Sequence, residues 1–204
     1  MSDGRTRRAE VARNKTHAKI LAVAKRMLSN NHGPLTIKEV ASTSGYSIAT
    51  VYNHFPRGVN RIILELGHAV AVAAIESAQR IVESDGPLVA AEMFPVFFCE
   101  QVIEAGGVAP WALSIDDKEV AAEWFSQPSI SQIMNLLVQG GEPRDDVTYG
   151  IAQTSVYLTR GAIITYCIQV RSETDAEQRR RHGEDLLAAA RRAVPDAFRI
   201  ARSG

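Results

Sequence analysis

Apolar residues recur along this chain at three- and four-residue steps almost throughout, and no segment sustains the period-two alternation of β-branched residues that a half-buried strand requires. The expected fold class is therefore all-α. Ile20, Leu21, Ala24, Met27 and Leu28 form one stripe and predict a first helix from about 14 to 30, stopped by Asn31-His32-Gly33-Pro34. Thr36-Ile37-Lys38-Glu39 has the form of a capping box, and a short second helix follows that buries Ile37, Val40 and Ala41. Ser44-Gly45-Tyr46 is a tight corner whose glycine supplies a positive φ, and Ser47 caps a third helix ending near His54. The pattern resumes from about 59 to 83, with Ile62, Ile63, Leu66, Val70, Ala73 and Ala74 inward, until Asp85-Gly86-Pro87. Breaks at Gly106-Gly107, Pro110, Pro128, Gly140-Gly141-Glu142-Pro143 and Ser172 divide the remainder into helices near 88–105, 117–126, 129–139, 145–171 and 174–193.

Composition adds little to that picture until it is divided along the chain. With 46% hydrophobic and 23% charged residues among 204, folding is expected throughout. The net charge is zero, yet residues 1–64 hold eleven Lys/Arg against three Asp/Glu, and the remainder holds twelve against twenty. One end suits a polyanion and the other does not. Residues 1–13, which include Arg5, Arg7 and Arg8, read as a flexible basic arm, either one that follows a phosphate backbone or a solubilising tail. Cys99 and Cys167 stand alone in apolar runs, with no CxxC spacing, as small core residues in a reducing compartment. The N-terminus has no apolar stretch of the kind a secretory signal needs, so a cytoplasmic location is expected.

The third helix carries the most specific signal. At 100° per residue, Ile48, Val51, Tyr52 and Phe55 share the arc that packs on the first two helices, and Ala49, Thr50, Asn53 and His54 lie opposite. Helix, four-residue corner, helix is the length of a helix-turn-helix. A recognition helix needs residues small enough to admit the backbone to the major groove, beside hydroxyl and amide groups that meet base edges and phosphates. The bland alternative is a short surface helix that reads nothing.

The run from Ala18 to Leu64, with TIKEVASTSGYSIATVYNHF at its centre, resembles the DNA-binding domain of the TetR family. Gly33, Thr36, Ile37, Val40, Ala41, Gly45, Ser47, Thr50, Val51, Tyr52, His54 and Phe55 carry the match, over about a quarter of the chain. The resemblance implies that Thr36 and Lys38 lie by phosphates at the start of the second helix. It brings Ser47, Ile48, Ala49, Thr50 and Asn53 to bases, and Tyr52 and His54 to phosphates. For Ile48 and Tyr52 this means contact from the edge of the packed arc. The chain departs from the pattern at Tyr46, where the family has a small aliphatic residue, and at Gly58, where it has a Lys that touches phosphate. Either Arg57 or Arg61 would substitute for that Lys.

The resemblance divides the chain into an arm (1–13), a three-helix helix-turn-helix domain (14–58) and a larger helical effector-binding and dimerisation domain (59–204). Residues 145–171 form a helix with Arg160 as the only charge between Asp146 and Arg171, too rich in Thr, Gln and Tyr for a membrane span. Such a helix needs cover on several sides, from a homodimer partner or from the interior of a monomer. Met93, Phe94, Phe97, Phe98, Trp111, Trp124, Phe125 and Tyr157 either line a pocket for a partly apolar small-molecule effector or are plain core. Arg160, Glu100 and Glu104 are the charged groups that matter if they face inward.

The expected function is a sequence-specific regulator of transcription, a repressor that binds a palindromic double-stranded operator as a homodimer and is released by the effector. The alternatives are a regulator of the same fold with no small-molecule effector, or an α-helical enzyme. Against the enzyme stand the lack of GxSxG, HExxH, P-loop and GxGxxG motifs, the scatter of the five histidines, and acidic pairs placed where helices begin. No catalytic residue, metal ligand set or cofactor is expected.

Overall fold

The computed structural model describes all residues except 1, 2, 31–34, 107, 115–121, 124, 125, 127, 128, 171, 172, 174 and 204. Nine helices and no strand occur among them: α1 (Asp3–Asn30), α2 (Ile37–Ser44), α3 (Ile48–His54), α4 (Val59–Asp85), α5 (Pro87–Glu104), α6 (Val108–Ser114), α7 (Ile130–Gln139), α8 (Asp146–Val170) and α9 (Ala176–Ser203). The fold is all-α, with the three short-spaced N-terminal helices followed by a larger helical body.

Buried side chains form one continuous apolar cluster, from Ile20 and Ala24 of α1 through Val51 and Phe55 to Phe198 of α9. Helix α5 is the hub, packed on α4, α7, α8 and α9. Helix α4 joins the two parts: Ile62 and Ile63 are fully buried near its start, and Ala74 and Ala78 are fully buried beyond. It is long and apolar enough to cross a membrane by length and composition, and half of its apolar window is buried inside the fold. Helix α8 lies on α5, α6, α7 and α9.

Three departures from the periodicity have identifiable causes. Helix α1 begins at Asp3, so residues 3–13, expected as an arm, are helical. Gly4 and Thr6 to Lys15 are exposed, and a surface helix of this kind shows no apolar stripe to betray it. Pro110 was expected as a break, but it occupies the first turn of α6, where its missing N–H costs nothing. Helix α9 continues past Pro195 to Ser203, since Val194 and Phe198 are buried one turn apart and anchor its end. The helix expected over 117–126 lies largely outside the described residues.

Two close approaches set how the body packs. A Cβ on Gly140, at the end of α7, would stand 2.4 Å from Pro87 Cβ at the start of α5. One on Gly183 of α9 would stand 2.9 Å from Ile103 Cγ2. Only a residue without a side chain lets these helices meet.

Candidate nucleic-acid interface

Each end of the α2–α3 unit is fixed by local hydrogen bonds. Thr36 Oγ1 accepts from the Glu39 N–H at 3.2 Å, and Glu39 Oε2 accepts from the Thr36 N–H at 3.2 Å and its hydroxyl at 2.7 Å. Gly45, at φ +75°, closes α2, and the Tyr46 N–H donates to Ala41 O at 3.0 Å. Ser47 Oγ then accepts from the Thr50 N–H at 3.0 Å and opens α3. Capping box, left-handed glycine and second cap therefore give the corner a single path.

Helix α3 is held from beneath by Val51 and by Phe55, its C-terminal cap residue, both fully buried. Ala49 and Asn53 are exposed on its outer side. Ile48 and Tyr52, placed on the packed arc by the helical wheel, are each 48% exposed. Val51 and Phe55, four residues apart, are the fully buried residues of this short segment, so the flanks of the arc stay open. Thr50 and His54 are half-buried, and the Thr50 and Ser47 hydroxyls share a hydrogen bond of 2.8 Å within the cap.

Ile48 and Tyr52 line a shallow open groove with Ile37 and Lys38 of α2 and with Pro56, Arg57, Gly58, Val59 and Asn60 at the start of α4. Gly58 is buried on its floor at φ +62°, ψ −135°. A Cβ there would stand 3.4 Å from Tyr52 Cε1 and 3.6 Å from Ile37 Cγ1. The departure at position 58 thus has a backbone cause, because few side chains accept this conformation. Of the two arginines near this position in sequence, Arg57 lies in the groove with Lys38. Arg61 points elsewhere: its Nε donates to Glu65 Oε1 at 2.7 Å.

Glu65 also accepts from His17 Nε2 at 2.5 Å, which ties α1 to α4 across 48 residues. The His17 ring stacks on Phe55 with centroids 4.4 Å apart and lies 5.7 Å from that of His54. His54 Nδ1 is buried without a hydrogen-bond partner. Burial first, then His17 and Arg13, hold the His54 pKa below its ordinary value. The Arg61–Glu65 pair has the i,i+4 spacing of one helix face, but nothing in the sequence announces that His17 joins it.

The central aromatic residues do not form one group. Phe94 and Phe98 are buried, 5.9 Å apart and tilted at 52°, as core. Met93, Phe97 and Trp111 are half-buried at the edge of that core. Tyr157 is 56% exposed on α8, with its hydroxyl accepting from Gln153 Nε2 at 3.1 Å, so it leaves the expected lining. A long, mostly apolar helix has more apolar faces than its neighbours cover, and Tyr157 falls on the open one. Arg160 is half-buried and donates to Ser126 O at 3.0 Å. Glu100 accepts from Arg191 of α9 at 2.9 Å, and Glu104 is exposed. Trp124 and Phe125 lie outside the described residues. Cys99 and Cys167 are buried, and burial pushes both thiols up to about 12, which leaves them as core residues. Among the described residues, no group of three or more His, Cys, Asp or Glu is placed to hold a metal ion. No family model matches this chain, and comparison with curated proteins finds no match.

Proposed function

We propose that this protein is a sequence-specific DNA-binding regulator of the TetR type, acting as a homodimer on a palindromic operator and released from it by a small, partly apolar effector. The observation that carries this reading is α3 itself: a capped helix after a left-handed glycine corner, fixed by Val51 and Phe55, with Ala49, Tyr52 and Asn53 open to solvent and Lys38 and Arg57 alongside. A small residue admits the backbone to the major groove, an amide pairs with a base edge, and the flanking cations neutralise phosphates. Ile48, half-exposed at the start of α3, suits a thymine methyl group.

The dimer reading is supported by α8. Tyr157, Ile164 and Ile168 repeat at seven and eleven positions on one line of that helix, 56%, 40% and 65% exposed. Between them, a Cβ on Gly161 would meet nothing within 4 Å. An apolar line of this length on a water-exposed helix is satisfied by a second copy of itself about a two-fold axis. Two recognition helices about 34–36 Å apart would then enter successive major grooves. Effector sensing rests on the resemblance and on the half-buried edge formed by Met93, Phe97 and Trp111. A ligand there would act by preferring one setting of α4, the helix common to both parts. The same surfaces favour a binding protein over an enzyme.

The test is selection of random duplexes by the purified full-length protein, followed by affinity for the selected sequence at several salt concentrations. A palindrome with a steep salt dependence is the expected result, with Asn53→Ala and Tyr52→Ala each weakening it by about 5- to 150-fold, as a loss of about 1–3 kcal/mol per contact implies. Failure to enrich any sequence would overturn the reading.

A further inference from the structure

Helix α1 keeps a row of positive charge that the recognition helix does not account for. Arg8, Lys15, Lys19 and Arg26 are separated by seven, eleven and eighteen positions, which sets them within about 20° of one line at 100° per residue. All four are exposed. The row spans about 27 Å at 1.5 Å per residue. Glu10 falls on the opposite side of the helix, and Glu65 is taken by His17 and Arg61. Among the described residues, none of the four cations is paired with a carboxylate.

Such a row opposes the helix that carries it. Lys15 and Lys19 are like charges one turn apart, which destabilises a helix, and among the described side chains of the first three turns none is buried to compensate. A line of cations at this density is favoured when an anionic polymer lies along it and releases its counterions. Its position says which polymer. The Lys19 ammonium sits 5.0 Å from the centre of the Tyr46 ring, at the corner that opens α3, and Arg13 is close enough to His54, at the other end of α3, to disfavour its protonation. Residues 13–19 of α1 therefore run alongside the recognition helix, and the row extends past it in both directions, to Arg8 and to Arg26.

We propose that α1 is a second DNA-contacting element, whose row of Arg8, Lys15, Lys19 and Arg26 binds the phosphates of duplex flanking the base pairs read by α3. The contact carries no sequence information and lengthens the footprint outward. This rests on the reading of α3 as the recognition helix.

The experiment uses the full-length protein and an Arg8→Gln/Lys15→Gln variant, chosen because both side chains lie outside the core. Affinity for the selected duplex is measured against salt, with a backbone-cleavage footprint and circular dichroism alongside. The expected result is a salt dependence shallower by about 0.9 per lost phosphate contact, about 1.8 per protomer, an outer footprint edge that retracts, and unchanged sequence preference and helix content. An unchanged slope and footprint with specific binding intact would overturn this inference and leave the reading of α3 standing. If the wild-type protein selects no sequence, that reading fails, and the inference is then decided by the slope for arbitrary duplex: a shallower slope in the variant sustains α1 as a phosphate-binding element, and equal slopes overturn it. Binding of the wild-type protein to anionic lipid vesicles and to no duplex overturns both.

Discussion

The hydroxyl of Ser155 in α8 donates to the backbone carbonyl of Ala91 in α5 at 3.0 Å, across 64 residues of sequence. Both residues are fully buried. That carbonyl needs an outside partner because Pro95, one turn on, has no N–H to give it. Ser155→Ala should cost about 1–3 kcal/mol in chemical denaturation, the penalty of a buried acceptor left unmade. Pro95→Ala, by restoring the helical donor, should reduce that cost, so the double-mutant cycle should show coupling between the two sites. Strict additivity would refute the account.

At the base of the groove, Gly58 holds φ +62° and ψ −135° beneath the Tyr52 ring. Gly58→Lys, which would restore the cation of the TetR pattern, should lower stability by about 1–3 kcal/mol through backbone strain, more than an added phosphate contact returns. Melting temperature and duplex affinity of the variant check this together. A protein of full stability and tighter binding would contradict it.

Where α7 meets α5, a Cβ on Gly140 would come 2.4 Å from the Pro87 ring. A proline ring cannot swing aside as a flexible side chain does. Gly140→Ala should therefore destabilise the body by about 1–3 kcal/mol, the usual cost of overpacking, although φ at this position is −79° and permits any residue. Gly141→Ala, with nothing within 4 Å of its Cβ but φ at +103°, separates conformational strain from crowding. A neutral Gly140→Ala variant would show that the two helices can part cheaply.

Acid should loosen the recognition helix. His54 has its pKa held below 6.5 by burial and by the nearby His17 and Arg13, so the unfolded chain takes up the proton first as pH falls. The stability due to its neutral form is complete above about pH 6.5 and is lost as pH falls through the lower, folded value. Denaturation midpoints measured from about pH 8 to pH 5 should fall less steeply in His54→Gln than in the wild-type protein. Parallel profiles would remove His54 from the account.

The open face of α8 makes a prediction about assembly. Ile168, 65% exposed, supports no intrachain packing that its loss would destroy. Ile168→Glu should yield a folded monomer by light scattering and abolish binding to a palindrome while sparing α3. A dimer of unchanged affinity for itself would move the interface elsewhere.

The sequence by itself determined the features that depend on neighbours along the chain. The Thr36–Glu39 capping box, the positive φ of Gly45, the Ser47 cap and the helical class all follow from residues within four positions of one another, and short-range hydrogen bonds and sterics decide them. Val51 and Phe55 were legible as anchors for the same reason. Tertiary structure alone decided whatever depends on which faces are covered. A wheel assigns Ile48 and Tyr52 an angle, but α3 packs through Val51 and Phe55, which left the flanks of that arc half open. The helical state of residues 3–13 carried no apolar signal because its described side chains lie on the surface. The His17–Glu65 and Ser155–Ala91 bonds join residues 48 and 64 positions apart, and Tyr157 turned outward because α5, α6, α7 and α9 already fill the other sides of α8. Pattern specifies which side chains share a face; only the packed arrangement of helices specifies what that face meets.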